Sequence, residues 1–279
     1  MFGTVNGKRK LSNPSISLVE FGGLAYARLM VEDNNINSAG QAACPVCQSY
    51  QTATFQDVRE YRFRKCELCR FVFLHPMPSE MVLESMYNTG GKITPYFYPK
   101  AKSRLHRALR IAMHLYRFAW RGPVLDVGCG GGFQVEAFRR LGMRPTGLDI
   151  SVNSIAFARN KFKKSDFYCE CFEKFSSRGK KFQLIYSSEL IEHVIDIDLY
   201  MKFLLHNTAD RGYIYITTPD ISSPLVPGNI LDWDVFNPPR HVQFFQPKNL
   251  RRLFEDRGFS VSKRFRGPKS GLRYLFRKN

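Results

Sequence analysis

A chain of 279 residues with 44% apolar composition is long enough for one full α/β core plus a small accessory unit. It carries 42 Lys and Arg against 24 Asp and Glu, a formal net charge of +18, and so favours anionic partners: nucleic acid, an anionic membrane surface or a phosphorylated small molecule. No signal peptide is evident, no stretch reaches the roughly 18 apolar residues that span a bilayer, and an odd count of seven cysteines argues against a disulfide framework and for a reducing, cytoplasmic compartment.

Residues 1–43 read as a loosely ordered arm, with a short ordered piece between Phe21 and Val31 that the pattern does not assign. Residues 44–75 hold two C-x-x-C pairs, Cys44 with Cys47 and Cys66 with Cys69, with 18 residues between them. That spacing fits a zinc ribbon, in which each pair turns two thiolates toward one point and two pairs close a tetrahedron. Four thiolates leave no open coordination position, so the expected zinc is structural. Tyr61–Arg64 and Phe71–Leu74 carry the aromatic clustering of short strands, and Pro76 and Pro78 end the unit.

Residues 76–121 are read as a helical connector. Ser79 caps an expected helix through Met86, and 101–119 form an amphipathic helix with Leu105, Ala108, Leu109, Ala112 and Tyr116 on one face. Arg107, Arg110, His114 and Arg117 fall on another face, which reads as an ordinary wet surface or as one that meets an anion. No acid occurs from Thr89 to Gly122, nor from Phe259 to Asn279, while both segments are rich in Lys and Arg. The two make one basic patch only if the fold brings them together.

From residue 122 to 279 apolar strands alternate with amphipathic helices. Strands are expected at Val124–Val127, Arg144–Asp149, Asp166–Cys169, Phe182–Ser187, Tyr213–Thr217 and Ser260–Arg264. Helices are expected at Phe133–Leu141, Val152–Phe162, Leu199–Asn207 and Pro247–Arg257. Such alternation implies a doubly wound, mostly parallel α/β sheet covered on both faces.

The most informative run is Asp126-Val127-Gly128-Cys129-Gly130-Gly131-Gly132, an apolar strand passing through a glycine-rich turn into a helix. Glycines allow a tight turn and a close approach of ligand to main chain. The dinucleotide pattern G-x-G-x-x-G needs glycine at position 133, where Phe133 stands. Asp126 beside the loop suits an ammonium and a sulfonium better than a pyrophosphate. Asp149, ending the second strand, is placed to accept both hydroxyls of a ribose, with Ile150 packing on an adenine face.

These residues resemble a class I S-adenosylmethionine-dependent methyltransferase, of the ubiquinone-biosynthesis O-methyltransferase-like group. Ser188-Glu189-Leu190-Ile191-Glu192-His193-Val194 resembles that group's segment after the fourth strand. Thr217-Thr218-Pro219-Asp220 resembles its turn after the fifth, and His241-Val242-Gln243-Phe244-Phe245 its late histidine–aromatic segment. Cys44 through Leu74 resembles the zinc-binding heads of bacterial sugar methyltransferases. The resemblance implies a Rossmann-like methyltransferase fold. It also implies S-adenosylmethionine contacts at Asp126, Gly128, Cys129, Gly130, Gly132, Asp149, Ile150 and Ser188, and a small or carbohydrate-like acceptor, nucleotide- or lipid-linked. Where relatives carry an acid after the third strand, this chain reads Cys169-Glu170-Cys171, so the adenine amino contact has no assigned partner.

His193, after the fourth strand and titrating near neutral pH, is the first candidate base, and His241 the second. Glu189 and His193 stand four residues apart like a metal pair, yet no further ligand lies nearby in sequence, so no catalytic metal is expected. A nucleic-acid (RNA) methyltransferase gripping phosphates with its ribbon and basic segments is the competing reading. Against it, Asn237-Pro238-Pro239-Arg240 lacks the aromatic residue of a base-flipping tetrapeptide. A binding-only scaffold is a third reading, disfavoured by the intact glycine loop.

Overall fold

The structure, a computed structural model, describes residues 18–21, 24–27, 42–78, 98–120, 122–176, 181–267 and 270–279. The expected helix from Ser79 through Met86 lies outside these residues, as do Lys92, Arg121 and Lys269 of the basic segments. In the amino-terminal arm, β1 (Leu18–Phe21) and β2 (Leu24–Ala27) pair antiparallel, with Leu18 opposite Ala27 and Phe21 opposite Leu24. The arm therefore contains a hairpin where the sequence offered only an unassigned piece.

Three strands follow at β3 (Thr52–Val58), β4 (Tyr61–Cys66) and β5 (Val72–Leu74). Helix α1 (Ala101–Leu115) runs into a 3₁₀ turn at Tyr116–Phe118, slightly short of the expected end. Then come β6 (Pro123–Val127), α2 (Phe133–Arg140), β7 (Arg144–Asp149), α3 (Val152–Lys161), β8 (Asp166–Cys169), a short α4 (Phe172–Ser176) and β9 (Phe182–Ser188). Helix α5 (Ile197–Asn207) leads directly into β10 (Thr208–Pro219). The chain ends with β11 (Gln243–Phe244), α6 (Pro247–Glu255), β12 (Phe259–Arg264) and β13 (Gly271–Lys278).

The helix starts follow local chemistry. The Ser151 hydroxyl accepts from Ser154 N at the head of α3, and Asp196 accepts from Leu199 N at the head of α5. Gln246 and Asn249 form a reciprocal capping box around Pro247 at the start of α6.

Seven strands form one sheet in the order β12-β13-β10-β9-β6-β7-β8. β10, β9, β6, β7 and β8 pair parallel, and β13 inserts antiparallel between β10 and β12. The period-two alternation of buried strands divides the core. Val124, Leu184, Tyr215 and Leu275 face α1 and α2, while Leu125, Ile185, Ile214 and Phe276 face α5 and α6. The first face also joins the two basic segments. Phe118, at the end of the α1 unit, lies 5.1 Å from Tyr213, and Phe265, just past β12, lies 5.6 Å from Tyr215. Among the described residues no helix is long and apolar enough to cross a membrane.

The cysteine module makes a second sheet, ordered β11-β5-β4-β3. β11 comes from the far end of the chain: Gln243 stands opposite Phe73 and Phe244 opposite Val72. Cys44, Val46, Phe71 and Phe73 share one apolar cluster with Phe245, Leu250 and Phe254. The module is sewn into the α/β unit.

Candidate active site and cysteine centre

The carboxyl ends of β6, β7, β9 and β10 lie side by side, so residues far apart in sequence converge there. Asp126 sits opposite Gly147 on β7 and Tyr186 on β9, and Asp149 opposite Cys169 on β8. Backbone dihedrals explain the glycines: φ is 76° at Gly128, 49° at Gly130 and 76° at Gly132, a region side chains resist. A Cβ at Gly128 would lie 3.2 Å from the Leu190 side chain, so the turn after β9 packs directly on the loop.

Asp149 is held in place. Gly130 N donates to its Oδ2 and Ser151 N to its Oδ1, each at 2.8 Å. Burial raises its pKa, and those two amides pull it down. Asp126 lies beneath, 2% exposed, with Oδ2 lacking any hydrogen-bond partner. Burial, then the Asp149 charge, pushes its pKa well above the usual carboxylate range. An orphaned buried carboxylate oxygen is costly unless a ligand answers it. Ile150, 39% exposed, and exposed Cys169 border the same mouth, while Cys129 is buried. Ser188 Oγ hydrogen-bonds Thr217 Oγ1 at 2.7 Å.

The spacing gave no hint of Tyr98. Its hydroxyl donates to Ser154 Oγ at 3.2 Å, and its ring would lie 2.7 Å from a Cβ at Gly131. The tyrosine roofs the glycine loop.

His193 and His241 meet, with ring centroids 4.6 Å apart. His193 lies in the 3₁₀ turn Ile191–His193, and its Nδ1 donates to Arg240 O at 2.6 Å. His241 Nδ1 donates to Val235 O. A carbonyl only accepts, so both neutral rings carry hydrogen on Nδ1, and Nε2 has acceptor character. Burial, then repulsion from His241, lowers the His193 pKa to about 3. Burial lowers that of His241 as well.

Sequence reasoning missed the importance of Glu192. It is 1% exposed, Thr218 Oγ1 donates to its Oε2 at 2.9 Å, and its Oε1 lacks a partner. Glu192, His193 and His241 each bring one donor atom within 4.8 Å of the others, a set that suits a divalent cation. Glu189, read in sequence as the partner of His193, instead takes a left-handed φ of 53° and accepts from Thr217 Oγ1. The pair is therefore not on a helix, and the sequence-adjacent acid replaces it. Trp233 and Phe236 belong to an apolar cluster with Phe63, Val72, Leu74 and Phe244.

The four cysteines converge as their spacing predicts. Cys44 and Cys69 sulfurs lie 3.5 Å apart, as do those of Cys47 and Cys66, and all four lie within 4.8 Å. Zinc–sulfur bonds of about 2.3 Å in a tetrahedron require sulfurs about 3.8 Å apart, and a disulfide requires about 2.0 Å, so the set fits the metal and not the bridge. Within one pair, the shared hydrogen bond holds the Cys44 thiol up and brings Cys69 down to about 5.

A family model described as a methyltransferase domain matches residues 99–263, more than half of the chain. The ubiquinone biosynthesis O-methyltransferase of Bartonella bacilliformis is 29% identical over 140 residues, 47% of this chain and 56% of that protein. The one from Chelativorans sp. is 35% identical over 99 residues, 34% of this chain and 39% of that protein. The chain thus spans about half the length of the curated relatives it matches. Among solved structures, magnesium protoporphyrin IX methyltransferase from Synechocystis, with bound SAH, superposes with a TM-score of 0.55 at 14% identity, covering 72% of this chain and all of that one. The CcbJ methyltransferase from Streptomyces caelestis gives 0.51 at 14% identity, over 65% and 93% of the two chains. With more than half its length inside that family model and its sheet built as in these enzymes, the chain belongs to the methyltransferase domain family, on the Rossmann-like fold of S-adenosylmethionine-dependent methyltransferases.

Proposed function

We propose that the chain transfers the methyl group of S-adenosylmethionine to a hydroxyl of a small or carbohydrate-like acceptor, nucleotide- or lipid-linked, in a cytoplasmic setting. The observation that carries this reading is the pairing, across adjacent strand ends, of an acid-lined glycine loop with two neutral imidazoles. The naming of the relatives as O-methyltransferases supports an oxygen acceptor.

The cofactor residues divide the work. Gly128, Gly130 and Gly132 admit the methionine portion to the main chain, with Cys129 buried behind them. Asp126 answers its positive groups, and Asp149 its ribose hydroxyls. Ile150 offers an apolar face, and Ser188 closes the side toward the acceptor. Bound S-adenosylmethionine supplies an already activated methyl, so alignment is the larger share of catalysis. His193 and His241 present Nε2 lone pairs to the incoming hydroxyl. With its basicity this low, His193 acts mainly as a hydrogen-bond acceptor that aims the oxygen, taking the proton late in the transfer.

Calorimetry with S-adenosylmethionine, followed by a labelled-methyl screen of cell extract, tests the reading. No binding by folded protein overturns it. A second reading is favoured by the partnerless Glu192 Oε1: a divalent cation held by Glu192, His193 and His241 would orient and acidify the acceptor hydroxyl. Stimulation of turnover by added divalent metal, lost in Glu192→Gln, distinguishes it. For the cysteine module we propose structural zinc on Cys44, Cys47, Cys66 and Cys69. For the joined basic face we propose contact with an anionic carrier or an anionic membrane surface. The nucleic-acid alternative predicts salt-sensitive RNA retention on a filter.

A further inference from the structure

We infer that the cysteine sheet and the histidine pair are one mechanical unit, and that Gln243 is the positioning residue that joins them. This inference rests on the proposed role of His193 and His241, and it extends that role to a residue which touches neither ring.

Gln243 is fully buried, and as part of β11 its backbone completes the cysteine sheet opposite Phe73. Its side chain crosses to the other partner. Nε2 donates to Ile191 O at 2.5 Å and to Val194 O at 3.0 Å. Those two carbonyls bracket the turn that carries Glu192 and His193. A single amide thus pins both ends of the turn to a strand of the cysteine sheet. Two backbone bonds repeat the tie on either side: Val242 N donates to Glu192 O at 2.9 Å, and Leu74 N to Val242 O at 2.7 Å.

His241 stands two residues before Gln243 and inherits its position from the same seam. The segment that turns back to hold its ring is clamped by rings of the cysteine sheet. Phe236 packs 4.7 Å from Phe63 and 5.2 Å from Phe244, and Trp233 lies 5.8 Å from Phe244. Asn249 Nδ2 donates to Cys69 O at 3.2 Å, tying α6 to a knuckle itself. Among the described residues the hydrogen bonds on Asp149 come from the α/β unit alone, and the pinned turn meets the glycine loop through the Leu190 side chain. Loosening the cysteine sheet therefore acts first on the imidazole pair, and on the cofactor loop only through the Leu190 contact. Displacement of a reacting group by about 1 Å costs on the order of 100-fold in rate, so a loosened pair is felt in turnover before it is felt in binding.

The test uses the full-length, metal-loaded chain labelled with ¹⁵N. Long-range proton–nitrogen correlation reads the tautomer of each imidazole, and His193→Gln and His241→Gln assign the two signals. In Gln243→Met, which keeps shape and loses both donors, the fixed Nδ1–H pattern of His193 and His241 should give way to averaged signals. Turnover should fall about tenfold or more, with KM for S-adenosylmethionine and metal content unchanged. Cys47→Ser, which removes one thiolate without touching the imidazoles, should produce the same averaging while S-adenosylmethionine still binds. This arm decides the matter if Gln243→Met does not fold. Fixed imidazole signals in either folded variant overturn the inference. So does loss of S-adenosylmethionine binding in Cys47→Ser, since the seam would then hold the whole core. If the assigning variants keep full turnover while the signals still respond to Gln243→Met, the catalytic reading fails and the coupling stands.

Discussion

The two halves of the site are built in opposite ways. The proposed cofactor half is largely local: Asp126, the three alternate glycines and Asp149 all lie within one strand–helix–strand unit, whose own amides hold Asp149, with Tyr98 and Leu190 among the side chains that reach the loop from outside it. The proposed acceptor half is assembled from the turn at 189–194, the segment at 235–245 and a sheet that begins at Thr52. A site made from one crossover tolerates change elsewhere in the chain. A site made from three distant pieces is exposed to change in any of them.

The sharpest way to break this contrast is in the cofactor half. Asp149→Ala removes the carboxylate that Gly130 and Ser151 orient, and calorimetry should show S-adenosylmethionine affinity reduced about 100-fold or more, as expected when a charged hydrogen-bond partner worth roughly 3 kcal/mol is lost. The far-ultraviolet circular dichroism should be unchanged, because the residue lies at a strand end. Next in size is His193→Gln, which should lower kcat about 100-fold and leave that affinity intact. A loss of cofactor binding in this variant would erase the distinction between the halves.

Acid should separate them further. The folded state holds His193 near a pKa of about 3 against an ordinary 6.5. Above pH 6.5 neither folded nor unfolded chain protonates it, and its stability contribution is complete. As pH falls from 6.5 toward 3 the unfolded chain takes up the proton and the folded chain does not, so stability is lost across that window. Chemical denaturation at pH 7 and pH 4.5 should show the loss, and His193→Gln should shrink it. The same depression predicts no acid limb near pH 6.5 in kcat from His193, and a limb there that disappears in His193→Gln would refute it. The smallest effect is expected at Tyr98. Tyr98→Phe loses one bond to Ser154 and should raise KM for S-adenosylmethionine by a few-fold, about 1 kcal/mol.

The same division governs what the sequence disclosed. β6 through β9 matched their expected ranges almost residue for residue, because each is a short run bounded by turns and they pair in parallel among themselves. The cysteines were legible because two C-x-x-C pairs carry their geometry in their spacing. β13 was missed: it lies in an acid-free tail of Arg and Lys, and its strand character comes from pairing with β10 and β12. β11 is two residues long, with no periodicity to read. Glu192 was visible beside His193, but its rank over Glu189 depended on a left-handed backbone at Glu189 that no composition rule signals. Gln243 carries no signal of its role in the sequence, since its partners lie 49 and 52 residues away.

The outermost strand of the cysteine sheet has a consequence during synthesis. Residues 44–74 leave the ribosome long before Gln243 and Phe244 exist, so the head waits with the β5 edge uncovered while about 170 further residues are added, at roughly 10–30 seconds of translation. An exposed edge is a template for unwanted pairing. Early capture of metal by the first four cysteines would give the nascent head a fold of its own during that interval, before the last strand arrives to close it.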